Sequence, residues 1–317
     1  MLHTNGVLIS ICIPAFSRVA YLDRLLASIK NQTFVNYEVI ISDDSKEDEV
    51  KNLCALYAHQ FSLKYYKNEL ALGTPANWNF AISKAIGDWI KIMHDDDWLA
   101  TKNSLEWFAK ETNSGRKFVF SAYTNIFEDK QKVQKMFFPS AWRNRIIKNP
   151  VTLLPRNVIG PPSVTMVHRS ISETYDTRMK WRVDIDFYIR LLRSEKEFSY
   201  IKEPLVNVGV SGSQVTNYCI DQPEVELPEG LLLLHKYGVQ PLKNILVYDS
   251  WWRIIRNVNI RSVKDLGIHT QINEWPQVII KMVLFQSQIP KSILKIGVFS
   301  KLLMSSSYLL NKHRLNQ

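Results

Sequence analysis

Short β-branched runs alternate with segments of helical period over the first hundred residues, and this alternation leaves few folds open. Val7-Leu8-Ile9-Ser10-Ile11-Cys12-Ile13 stops at Pro14, and beyond Ser17 the residues Val19, Leu22, Leu25, Leu26 and Ile29 recur at helical spacing. Tyr37-Glu38-Val39-Ile40-Ile41 is a second run that ends at Ser42-Asp43-Asp44-Ser45, followed by a helix expected over 47–59. Residues 63–66 read as a third strand. Thr74 is expected to cap a helix with Pro75 in its first turn and Trp78, Ile82 and Ala85 on one face. A fourth strand over 89–93 then runs into His94-Asp95-Asp96-Asp97. Strand, helix, strand in this order predicts a parallel sheet flanked by helices.

In such sheets ligands gather outside the carboxyl ends of the strands, so three loops should converge: 14–17, Asp43-Asp44 and Asp95 to Asp97. A bare acidic triplet is usually a solvated charge run. At a strand end, beside a second acidic pair, it suits Mn2+ or Mg2+ holding a diphosphate, because these cations take oxygen ligands. Asp43 and Asp44 could accept the imide N–H of uracil or a ribose hydroxyl, and equally could shape a turn.

The middle of the chain is expected to hold a strand over 118–120, a basic loop over 143–148 and a strand over 164–167. From about residue 230 the pattern is helical, with Trp251, Trp252 and Trp275. This stretch holds 12 Lys and Arg against 3 Asp and Glu, so most of the net charge of +10 lies there. Such a segment can meet an anionic membrane, an acidic partner or nucleic acid, or simply cap the core with its lysines outward. No nucleic-acid motif is present, and no apolar run reaches the ~18 residues of a membrane span. Three widely spaced cysteines, Cys12, Cys54 and Cys219, fit a reducing cytoplasm better than a disulfide framework. The first residues lack the basic start of a signal peptide. The expected divisions are an α/β half (1–110), a second half of the same domain (111–225) and a basic helical region (226–317).

The ordered motifs Ser10-Ile11-Cys12-Ile13-Pro14-Ala15-Phe16-Ser17-Arg18, Ser28 to Thr33, Tyr37 to Ser45, Asn77-Trp78-Asn79, Ala85 to Ile90 and His94-Asp95-Asp96-Asp97 resemble glycosyltransferase family 2. The resemblance covers about the first 110 residues. It implies an α/β fold of the GT-A type, Rossmann-like, and inverting transfer of a sugar from a nucleotide-diphosphate sugar, UDP above all. The acceptor would be a saccharide or lipid-linked saccharide in O-antigen or capsule assembly.

On the donor side the resemblance implies Pro14, Ala15, Phe16, Asp43, Asp44, Asn79, Asp95 and Asp96. Asp96 and Asp97 would meet the metal, with Asp95-Asp96 and Asp95-x-Asp97 as alternative working pairs. His94 stands where many members have Asp, and a lone histidine is more often packed than a ligand. Val183-Asp184-Ile185-Asp186 resembles the acidic segment that opens a helix and carries the general base, Asp184 ahead of Asp186. Gly160, Pro161 and Ser163 resemble an acceptor loop, with Asp186 beside them. Ser211 stands where some members have a metal-binding histidine. Two rival functions remain at this stage, a sugar-nucleotide-binding scaffold without turnover and a nucleotidyltransferase. The second would want a glycine-rich loop where this chain has Pro14-Ala15-Phe16-Ser17-Arg18. The C-terminal residues 277–317 are the expected contact with the inner face of the cytoplasmic membrane.

Overall fold

The computed structural model describes residues 6–212, 218–312 and 315. The readings that concern residues 1–5 and 213–216 fall outside them. The chain divides into an α/β unit of Met1–Ile147, Val158–Thr177 and Arg190–Gly212, and a helical unit of Lys148–Asn157, Arg178–Ile189 and Ser213–Gln317.

The α/β unit opens with β1 (Ile9–Ala15), α1 (Val19–Lys30), β2 (Tyr37–Asp43), α2 (Glu49–Tyr57), β3 (Leu63–Lys67), α3 (Ala76–Ser83) and β4 (Trp89–Ile92). The strands β3, β2, β1 and β4 lie side by side and all pair in parallel, as the alternation predicts. Both faces of β1 are buried. Ile9, Ile11, Ile13 and Ala15 pack with Leu22, Leu25, Leu26 and Ile29 of α1, while the Cys12 thiol meets the Ala81 carbonyl of α3. Strands covered on both faces need continuous apolar runs, which is what the sequence supplies there.

The second half of the sheet is mixed. It is built from β5 (Trp98–Leu99), β6 (Phe118–Phe127), β7 (Lys132–Met136), β8 (Thr165–His168) and β9 (Ser199–Val210). Beyond β4 the order is β8, β6, β9, β5, with β7 also on β6; β4–β8 and β8–β6 are antiparallel and β6–β9 is parallel. Helix α4 (Ser104–Glu111) buries Leu105 and Phe108 in the same core.

Two local expectations change. Helix α3 has Pro75 at its cap position with no side-chain cap, and the Gly73 carbonyl takes the Asn77 N–H, so Thr74 does not cap it. The basic stretch 143–148 is the helix α5 (Arg143–Lys148) and not a loop, because Ile146 is fully buried and Arg143 donates to the Phe198 carbonyl at 3.0 Å.

The chain continues through α6 (Val183–Glu195), α7 (Pro223–Tyr237), α8 (Ile245–Asn257), α9 (Val263–Leu266), α10 (Gln277–Ser287), α11 (Lys291–Lys295) and α12 (Gly297–Asn311). Trp251, Trp252 and Trp275 are all buried, so the Trp-rich character belongs to packing inside the helical unit. Among the described residues no helix is long and apolar enough to cross a membrane.

Candidate active site

The loop after β1 and the turn after β4 meet through charge. Ser17 turns the chain with φ of 57°, a left-handed value that non-glycine residues adopt mainly in tight functional turns. The next residue, Arg18, grips Asp95 with Nε (3.2 Å) and Nη2, and reaches Asp96 Oδ2 with Nη1 at 2.8 Å. Arg18 was quoted in the sequence motif without a role, and its position immediately after the turn was the only local signal. Pro14 and Ala15 close β1, and Phe16 is 58% exposed, an apolar ring left open at the strand end.

At the end of β2 the two aspartates differ. Asp43 has no exposed surface, and its oxygens accept from the Ser45 N–H (2.8 Å), the Ser45 hydroxyl, the Tyr65 hydroxyl (2.6 Å) and Lys67 Nζ (3.3 Å). It holds β2, β3 and their loop. Asp44 Oδ1 accepts from Asn68 Nδ2 (2.7 Å) and the Leu72 N–H (3.0 Å), while Oδ2 accepts from the Gly73 N–H (2.8 Å). A carboxylate oxygen takes two donors, so Oδ2 keeps capacity for another. Asn79 exchanges two hydrogen bonds with the Tyr175 backbone, 2.8 and 3.0 Å, and so ties α3 to the segment after β8.

Three buried carboxylates follow β4 in succession. Burial pushes Asp95 up to about 7 against the pull of Arg18, and burial together with Asp96 raises Asp97 well above the carboxylate range. Beneath them lies Lys91, a fully buried lysine that donates to the Ser163 carbonyl at 2.6 Å, sits 4.1 Å from the centre of the Phe108 ring, and is lowered by burial to about 7. Ser163 has no exposed surface; its hydroxyl accepts from the His94 N–H at 2.9 Å and also bonds Asp97. The structure therefore sets Ser163 under the acidic turn, as its support. Gly160, with φ of 113°, packs where a Cβ would lie 2.7 Å from the Tyr123 ring, and Pro161 follows it.

Two more residues, one from the sheet's far half and one from α1, brace the same turn, and the sequence reading gave neither a role. Gly209 of β9 donates its N–H to Asp97 Oδ1 at 3.1 Å, and a Cβ there would meet the Asp96 carbonyl at 2.5 Å. Arg24 lies over the Trp98 ring at 3.6 Å and donates to the Asp96 carbonyl at 3.1 Å.

His94, Asp96 and Asp97 each offer a ligand atom within 4.8 Å of the others. The His94 ring rests on Trp78 with centroids 4.7 Å apart, and its Nε2 is buried without a hydrogen-bond partner. Burial holds the imidazole near a pKa of about 4, so it is neutral at neutral pH. A neutral imidazole whose Nδ1 stands 3.9 Å from Asp97 Oδ2, among crowded carboxylates, fits a divalent cation in donor type and in charge. His94 joins Asp96 and Asp97 as a third possible ligand, which a lone histidine in the sequence did not indicate.

In the helical unit, Asp184 lies in the first turn of α6. Its Oδ2 accepts from Asn157 Nδ2 at 2.7 Å and its Oδ1 from the Ile185 N–H at 2.8 Å, while burial raises its pKa to about 6. Asp186, with no exposed surface, is paired with Lys236 Nζ (2.8 Å) and the Tyr237 hydroxyl (2.6 Å). Glu229 receives the N–H groups of Lys180, Trp181 and Arg182, and Glu226 pairs with the Arg182 guanidinium, so two buried glutamates of α7 fix the segment leading into Asp184.

Solved structures share this fold. Residues 1–349 of S. aureus TarS, in complex with UDP-GlcNAc, superpose over 96% of this chain and 92% of their own at a TM-score of 0.59 and 14% identity. The mannosyltransferase PcManGT from Pyrobaculum calidifontis, with GDP-Man and Mn2+, covers 98% and 88% at 0.55 and 11% identity. The fold is GT-A. Residues 10–176, more than half of the chain, match the model of Glycosyl transferase family 2, and the chain belongs to that family.

Among its relatives, the GalNAc(5)-diNAcBac-PP-undecaprenol beta-1,3-glucosyltransferase of Campylobacter jejuni is 31% identical over 35% of this chain and 37% of its own length. The abequosyltransferase RfbV of Salmonella typhimurium is 38% identical over 31% of each. The similarity thus spans about a third of each of these two proteins. The Escherichia coli UDP-Glc:alpha-D-GlcNAc-diphosphoundecaprenol beta-1,3-glucosyltransferase WfgD is 25% identical over 52% of this chain and 67% of its own.

Proposed function

We propose that this chain is an inverting glycosyltransferase that moves a sugar from a UDP-sugar to a hydroxyl of a lipid-linked saccharide during assembly of a surface polysaccharide. The observation that carries the reading is the turn His94 to Asp97, where crowded carboxylates and a neutral imidazole, each with a ligand atom within 4.8 Å of the others, fit a cation that pairs with a diphosphate. TarS binds UDP-GlcNAc on the same fold, and two relatives are named for undecaprenol-diphosphate acceptors.

On the donor side, Pro14, Ala15 and Phe16 flank the nucleoside, and the open place on Asp44 Oδ2 takes the imide N–H of uracil. Asp43 and Asn79 act by holding these loops. Asp95 serves the ribose side. Asp96, Asp97 and His94 would hold Mn2+ or Mg2+, which when bound supplies charge neutralisation to the leaving diphosphate. The Asp184 carboxylate takes the proton of the acceptor hydroxyl as its oxygen attacks the anomeric carbon. The bond from that carbon to the phosphate oxygen breaks on the opposite face, and UDP leaves. A base lifted to about 6 by burial is still mostly ionised at neutral pH and holds a proton better than an ordinary aspartate. Gly160 and Pro161 shape the acceptor side. The whole protein works at the cytoplasmic face of the membrane, on which residues 277–317 make a peripheral contact.

UDP release from a panel of UDP-sugars, with an undecaprenol-diphosphate saccharide and Mn2+, tests the assignment. Asp184→Asn should lower transfer at least ~10²-fold with donor binding kept. A chain that binds UDP-sugars tightly yet turns over none of them is a scaffold, and the enzyme reading then fails.

A further inference from the structure

Helix α12 is built inside out. Its buried residues Ser300, Met304, Ser307, Tyr308 and Asn311 recur every three or four positions and so form one face. Most of that face is polar and is satisfied within the helical unit. The Ser300 hydroxyl accepts from Trp252 Nε1 and Arg256 Nη1, both at 3.0 Å, the Ser307 hydroxyl bonds the Tyr248 hydroxyl at 2.8 Å, and Asn311 Nδ2 donates to the Tyr248 oxygen at 3.1 Å.

The opposite face, 180° away at ~100° per residue, carries Val298, Phe299, Leu302, Leu309 and Leu310. They are 72, 52, 61, 69 and 61% exposed. Ile293 and Ile296, just before α12, are also exposed. A surface helix normally turns its apolar side inward; here hydrogen bonds hold the polar side inward and the apolar side faces out.

Charge selects what covers this face. From residue 275 to the end the sequence has no Asp or Glu, while Lys281, Lys291, Lys295, Lys301, Lys312 and Arg314 are present. Lys301 and Lys312 fall on the same flank of the apolar stripe, and both are exposed. A second copy of the chain would set like charges against one another with no carboxylates to pair them. An anionic bilayer offers hydrocarbon to the stripe and phosphate to the lysines.

We propose that α12 lies in the headgroup region of an anionic membrane, with Val298, Phe299, Leu302 and Leu309 inserted and Lys301 and Lys312 on lipid phosphate. The proposal deepens the peripheral contact assigned to 277–317 and rests on the reading that the acceptor is carried by a lipid.

Flotation of the full chain with vesicles tests it, using phosphatidylglycerol–phosphatidylethanolamine mixtures against phosphatidylcholine alone. The chain should float with the anionic vesicles and remain in solution with the neutral ones. The double variant L302E/L309E, at exposed positions, should lose about tenfold or more of its partitioning, and K301Q/K312Q should lose only the anionic-lipid preference. Metal-dependent UDP release without acceptor should be unchanged in both variants. The inference is overturned by a wild-type chain that stays in solution with anionic vesicles, or by a double variant that floats like the wild type. It is also overturned if sedimentation velocity shows a dimer that L302E/L309E abolishes. Loss of UDP release with flotation intact would instead strike the transfer reading alone.

Discussion

The carboxyl ends of β2 and β4 both carry buried aspartates, and they are built to opposite ends. At β2, Asp43 and Asp44 accept from hydroxyls, amides, a lysine and backbone N–H groups of their own unit, so their charge is dispersed before any ligand arrives. At β4, Asp95 and Asp96 share Arg18 as their direct cation, burial raises Asp95 and Asp97, and the His94 ring that stands against Asp97 has a buried Nε2 with no hydrogen-bond partner. A satisfied carboxylate stabilises a loop. A crowded one costs stability and is retained where a cation completes it.

Removing Asp96 is the sharpest way to break this comparison. Asp96→Asn should cut transfer by ~10²–10³-fold, the cost of losing one preorganised charge at the reacting phosphate. It should also abolish the rise in melting temperature that Mn2+ gives the wild type. If the variant is still stabilised by Mn2+, the cation lies elsewhere. Gly209→Ala comes next, because its Cβ would be forced against the Asp96 carbonyl. Transfer should fall by roughly 10²-fold, the effect of displacing reacting groups by about 1 Å, together with a loss of about 1–3 kcal/mol of unfolding free energy read from the urea midpoint. A large loss of stability without loss of activity would make Gly209 a packing residue.

The β2 end should respond in the reverse sense. Asp43→Ala strands Tyr65, Lys67 and Ser45 and should cost about 3 kcal/mol of unfolding free energy, read from the urea midpoint. Tyr65→Phe removes one of those donors and should cost ~1 kcal/mol with transfer unaltered.

The pH dependence of stability separates the two ends without mutation. Burial holds the folded Asp95 carboxyl at about 7, against about 3.9 for an ordinary aspartate, so between those values the folded chain holds a proton that the unfolded chain has released. Without cation, the raised Asp95, Asp97 and Asp184 all lose stability as pH rises from about 4, outweighing His94, whose lowered pKa acts the other way up to about 6.5. Saturating Mn2+ should flatten the part of the slope that belongs to the acidic turn. A cation-free chain whose stability rises through this window would contradict the crowding.

Much of the parallel half-sheet was legible in the sequence, since β1, β2, β3 and β4 begin and end within about two residues of their apolar runs. Their carboxyl-end loops were legible for the same reason, because strand order and direction follow from local pattern and right-handed crossovers. The mixed half was not. Strand β9 is twelve residues long with Pro204 in it, and its partners are β6 and the two-residue β5, pairings that no local period announces. The two units take residues from separate stretches, 148–157 and 178–189 joining the helices. Contacts that are distant in sequence leave no periodic trace.

By itself the sequence determined the α/β order, the acidic turn at the end of β4, Asp184 at the opening of a helix and the basic C-terminal region, because each follows from spacing and side-chain chemistry. Only the tertiary structure decided which acids are engaged and which are exposed to a ligand. Arg18 and Arg24, Ser163 and Gly209 converge on one turn from three segments, Lys236 and Tyr237 engage Asp186 while Asp184 has Asn157, and α12 turns its apolar side outward. Hydrogen bonding and burial depend on what the folded chain brings within about 3 Å, and that proximity is a property of the whole fold.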